Sequence, residues 1–229
     1  MKNQAKRYAP FAGVVMIALI IAAIAVQSGG PDAKASGAKV IAFAHSHQTK
    51  IHVGNFLFAY AALAAIVYFS SLASYLRSRG GDVLATVTFG GGVLMAGGLC
   101  VGAGLAEAAV DQPTRLTPDV AQTLNLLIID AWWITMVVGL TAGMLAAGVS
   151  MLRTRALPKA LGIVTVAVGV VGASGYLSWI ALFASIPLTV VIAGYLYQRI
   201  GRPAEITMPE VSVPAQATAT DTATTKANA

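Results

Sequence analysis

Apolar runs of bilayer length, each closed by positive charge, constrain this chain more than anything else in it. The clearest covers residues 124–151, which carries one carboxylate, Asp130, with Trp132 and Trp133 behind it, and ends at Arg153, Arg155 and Lys159. A hydrocarbon core takes about 20 apolar helical residues to cross, and a positive cluster after a span marks a cytoplasmic end.

The same pattern repeats along the chain and predicts spans at about 10–26, 52–76, 83–109, 124–151, 158–174 and 177–197. The last two come from one apolar stretch, 160–197, whose length of about 57 Å as a single helix is nearly twice a bilayer core. A hairpin at Ser174-Gly175-Tyr176 divides it, and Pro187 is tolerated as a kink. The first run has a second reading, as a secretory signal core with Ala23-Ile24-Ala25 as its cleavage site. It is longer than such a core and more spans follow, so a retained helix is expected.

Composition agrees. The chain is 57% hydrophobic and 10% charged, with a mean hydropathy of +0.74, more apolar surface than one water-soluble core of this size can hide. Its net charge of +6 sits in short clusters between spans, which is orientation chemistry and argues against nucleic acid. Eleven cationic residues (Lys2, Lys6, Arg7, Arg77, Arg79, Arg153, Arg155, Lys159, Arg199, Arg202, Lys226) fall on one side, and four (Lys34, Lys39, Lys50, Arg115) on the other. Both termini are therefore expected in the cytoplasm of a bacterial cell, with the protein in the plasma membrane. Cys100, the single cysteine, has no partner for a disulfide.

The expected fold class is all-α: a polytopic bundle of about six transmembrane helices over residues 1–202, a short external amphipathic helix, and a disordered cytoplasmic tail at 203–229. The amphipathic helix belongs to segment 27–50, where Ser36 is placed to cap it and Val40, Ile41 and Phe43 to lie in the outer interface. Gly98, Gly102 and Ala106 recur every fourth residue on the third span, a spacing that lets helix backbones approach closely. Gly90-Gly91-Gly92 lies inside the same span and reads as packing.

Polar side chains inside spans are costly and need partners. Asp130, Glu107, Asn55 and His52 are the intramembrane candidates. Asp130 with Glu107 is expected either to form a protonatable site or to supply a buried hydrogen bond that sets helix register. His45, His47 and His52 are weak metal candidates: helical geometry puts His47 well away from the other two, and only a break near Thr49 with Glu107 or Asp111 completes a ligand set. No metal and no cofactor are expected on this reading. No phosphate-cradling loop, metalloprotease helix or lipase-type serine turn is present, so no catalytic residue is assigned.

Pro31-Asp32 leading into Val40-Ile41-Ala42-Phe43-Ala44-His45, then Gly54-Asn55-Phe56-Leu57, Thr88-Phe89-Gly90-Gly91-Gly92 and Ala156-Leu157-Pro158-Lys159-Ala160-Leu161-Gly162, give the chain a layout. It resembles a family of uncharacterised bacterial six-span membrane proteins, a domain of unknown function. The resemblance implies an integral membrane protein and carries no activity. The expected role is a structural or accessory membrane component. Its partners are the lipid bilayer and a membrane protein met through the outer loop 27–50, and its oligomeric state is left open. The alternatives are a small proton-coupled carrier or channel using Asp130 and Glu107, and a membrane enzyme acting on lipid with Glu107, Asp130 and His52.

Overall fold

The computed structural model describes residues 7–111 and 116–200; the tail at 203–229, Lys2, Lys6, Arg115 and Arg202 lie outside them. Among the described residues there are seven α-helices and no strand: α1 (Ala12–Val26, entered through a 3-10 turn at Ala9–Phe11), α2 (Gly37–Ser46), α3 (Gln48–Arg77), α4 (Asp82–Asp111), α5 (Pro118–Thr154), α6 (Lys159–Ala173) and α7 (Ser178–Ile200). Five helical stretches are long and apolar enough to cross a membrane, and α6 is a shorter apolar helix. The architecture is an all-α bundle of a multi-pass membrane protein.

Local chemistry sets the boundaries. Gly80, at φ +88, takes the left-handed conformation that turns α3 into α4. Pro118 opens α5, and the Thr117 hydroxyl caps it by accepting from the Val120 amide. The α6–α7 hairpin falls at the expected place, with Gly175 at φ +69 making the reversal. Ser36 occupies the N-cap position of α2 with extended backbone, but its side chain makes no capping hydrogen bond.

The six apolar helices pack in chain order, α1 on α3, α3 on α4, α4 on α5, α5 on α6 and α6 on α7, and α7 returns to α1. Side chains fill the centre: Tyr68, Phe69, Leu72, Met95, Met144 and Ile192 are fully buried. The tightest seam is α4 against α5. A Cβ on Gly91 would strike the backbone of Gly139 and Gly143, one on Gly139 the backbone of Met95, and one on Gly98 the backbone of Met136. Small residues here replace the hydrophobic drive that lipid removes. Gly102 faces the Trp132 ring and Gly92 faces Phe69, whereas Gly90, Gly97 and Gly104 look into open space.

Arg7, Arg77, Arg79, Arg153, Arg155, Lys159 and Arg199 stand at or beside helix ends on one side of the bundle, here the basic end. Helix lengths differ at the opposite end. α3 and α4 have 30 residues, α5 has 37 and α6 only 15, or about 45, 55 and 22 Å at 1.5 Å per residue. The overhang of α5 carries α2. Val40 packs on Ala35 and Ala121 with Ile41 and Leu116 beside them, Asn125 donates to the Asp32 carbonyl at 3.0 Å, and a Cβ on Gly37 would strike the Pro118 carbonyl. Val40 thus covers protein, where the amphipathic pattern alone suggested the lipid interface.

Candidate functional site

Gln27, His52, Asn55 and Glu107 converge at the end opposite the basic one. His52 lies near the start of α3 and Glu107 near the end of α4, each about 37 Å along its helix from the basic-end turn. That distance exceeds the thickness of a hydrocarbon core, about 30 Å. His52 Nδ1 meets Glu107 Oε1 in a close contact. Asn55, one turn further along α3 and 6% exposed, donates to the other carboxylate oxygen, Oε2, at 2.7 Å. The Asn55 carbonyl oxygen accepts from Gln27 Nε2 at 2.9 Å, and the same Gln27 amide reaches the Ile51 carbonyl at 3.2 Å. One chain of hydrogen bonds therefore joins α3 and α4 to the residue that closes α1.

Asp111 stands one turn beyond Glu107 on the same face of α4 and is exposed. One ligand atom each from His52, Glu107 and Asp111 lies within 4.8 Å of the others. His45 and His47 do not join this group. His47 sits in the break between α2 and α3, its ring stacked on Phe43 with 4.4 Å between centroids, and its Nδ1 lies 3.2 Å from the Phe43 carbonyl.

Asp130 is not part of the cluster. It is exposed and makes no hydrogen bond or ion pair among the described residues. It shares a helix face with Val137 and Met144, which are buried, but that face loses its neighbour where α6 ends, Gly172 lying against Thr141. Asp130 stands about 16 Å above Thr141, past the end of α6. Helical periodicity puts Asp130 at the polar end of this face, and the short neighbouring helix leaves that end uncovered.

Two apolar hollows flank Asn55. One, of about 350 Å³, is a half-open cavity lined by Ile20 and Ile24 of α1, Phe58 of α3, Ala106 of α4, and Trp132, Trp133 and Trp179, with Gln27 and Asn55 at its polar end. Trp133 stacks on Trp179 at 3.7 Å between centroids, and Phe58 meets Trp132 edge to face at 5.6 Å. The other, of about 230 Å³, is a lateral groove between α3 and α4, lined by Phe56, Ala59, Cys100, Gly104 and Glu107. Asn55 and Ala103 belong to the walls of both. The wall of serines and arginines at the basic end, around a third cavity of about 580 Å³ (Ser70, Ser71, Ser74, Ser78, Arg79, Arg199), brings together no acid–base pair.

The sequence named His52, Asn55 and Glu107 as candidates, chiefly as partners of Asp130; it missed Gln27 and the place of all three tryptophans in the lining of one cavity. Gln27 follows the last apolar residue of α1, where a polar side chain reads as a helix end and nothing local points to a partner 28 residues away. No family model, curated protein or solved structure matches the chain, so the site is read from its own chemistry.

Proposed function

We propose that this chain is a non-catalytic accessory protein of the bacterial plasma membrane, with its basic end in the cytoplasm, that holds an amphiphile in the outer leaflet. The observation that carries this reading is the 350 Å³ cavity: aromatic and aliphatic walls, a polar end formed by Gln27 and Asn55, and a place beside the Asn55–Glu107–His52 cluster at the end opposite the basic one. Ligand sites of about 300–1,000 Å³ with apolar walls and few polar groups are the usual form of a small-molecule pocket. An alkyl or isoprenoid chain fits the walls, and a hydroxyl or carbonyl head meets the amides. A coupled carrier is less well supported, because Asp130 and Glu107 do not form one site and Tyr68, Phe69 and Met144 fill the bundle centre.

Native mass spectrometry of the protein released from mild detergent tests the reading. The expected result is one amphiphile retained per chain and lost in Ala106→Phe, which fills the cavity. Equal retention by both proteins, or none by the wild type, contradicts it.

One observation favours a second reading as a membrane enzyme acting on lipid: the lateral groove opens beside Glu107, which touches His52. That pairing suits general acid–base work on a bond held in the groove. Release of a lipid cleavage product by purified protein, abolished in Glu107→Gln, would place this reading first.

A further inference from the structure

We propose that His52, Glu107 and Asp111 form a binding site for a divalent transition-metal ion of the zinc class at the outer end of the α3–α4 pair. The proposal is independent of the amphiphile cavity. Its first ground is geometric. Two helices bring one imidazole nitrogen and two carboxylate oxygens within 4.8 Å of one another. Bonds of about 2.0–2.2 Å require tetrahedral ligand atoms about 3.4 Å apart, so the His52–Glu107 contact opens to admit the ion and the exposed Asp111 side chain rotates towards it.

Charge is the second ground. Glu107 and Asp111 sit one turn apart at the C-terminal end of α4, a helix with no basic residue in its last turn. Like charges at that spacing repel, and the negative pole of the helix disfavours both. Among the described residues, no Lys or Arg is bridged to either carboxylate, and His52 is the one basic side chain that touches Glu107. A divalent ion between the three side chains offsets all of this at once.

The third ground is orientation. Ligating carboxylates are themselves held by outer hydrogen bonds, and Glu107 Oε2 is held by Asn55, which Gln27 holds in turn. The Glu107 oxygen turned towards His52 is the one left for a metal. One nitrogen and two oxygens suit zinc, manganese or iron(II) better than calcium or magnesium, which favour oxygen alone. With Asp111 exposed and His52 and Glu107 half-exposed, ions have an entry path and water can complete the coordination.

Isothermal titration of the full chain in detergent with zinc chloride, after treatment with a chelator, tests the site. The expected result is saturable uptake of one ion per chain, weakened at least tenfold in Asp111→Asn and in Glu107→Gln, kept in the double variant His45→Ala/His47→Ala, and not reproduced by magnesium. Asp111→Asn changes an exposed side chain and keeps the fold testable, which unfolding temperatures of the metal-free proteins verify. Absence of uptake by the wild type overturns the proposal. So does uptake that ignores Asp111 and Glu107 but disappears with His45 and His47, or an equal response to magnesium.

Discussion

Asn55 ties three helices together with one side-chain amide, accepting from Gln27 after α1 and donating to Glu107 on α4. Its near-complete burial means that truncation removes one hydrogen bond each from Gln27 and Glu107 at a site water reaches poorly, and an unsatisfied buried polar group costs about 1–3 kcal/mol. Asn55→Leu is therefore expected to destabilise the protein by about 1–3 kcal/mol in denaturant unfolding, although leucine is the better residue for lipid. Asp130 provides the contrast. Exposed and, among the described residues, without a hydrogen bond or ion pair, it should tolerate Asp130→Asn with stability unchanged within about 0.5 kcal/mol. A loss comparable with that of Asn55→Leu would mean that Asp130 is packed.

At the level of the helices, the α4–α5 seam decides how two long apolar surfaces meet. Gly139→Ala drives a methyl into the Met95 backbone, and overpacking of that kind costs about 1–3 kcal/mol. Gly97→Ala, on the same pair of helices but facing open space, should be neutral or gain about 0.5–1 kcal/mol from helix propensity. Unfolding in mixed micelles separates the two; equal losses would show that glycine flexibility, and not close approach, matters there. This seam was legible beforehand, because glycine spacing on a helix is a local pattern and both helices carry it. So were the six apolar helices and the turn at Gly175, since apolar length and breaker residues are read within one segment. The overhang of α5 was not legible. It depends on α2 folding back over Val40 and Ala121, and on α6 being too short to follow, neither of which residues 118–130 encode. The contact between His52 and Glu107 needed the same non-local information, namely that α3 and α4 are antiparallel neighbours with matching lengths from their shared turn.

For the whole molecule, the basic end and the polar cluster make opposite sides of one bundle, and the proposed function puts the basic end in the cytoplasm on the strength of the positive-inside rule. In a Cys100→Ser background, Asp119→Cys should react with an impermeant maleimide on intact cells, and Ser78→Cys only after permeabilisation; the reverse pattern would invert the topology. The central claim concerns the cavity at the outer side. Because Trp132, Trp133 and Trp179 are the chain's three tryptophans and all line it, intrinsic emission reports on that space. The most direct measurement is quenching of this emission by dibromostearate in nanodiscs. Saturable quenching, relieved by unbrominated stearate and weakened in Ala106→Phe, is the predicted result. Quenching that rises linearly with bromolipid content and is the same in Ala106→Phe would contradict an occupied cavity and leave the tryptophans as interfacial anchors.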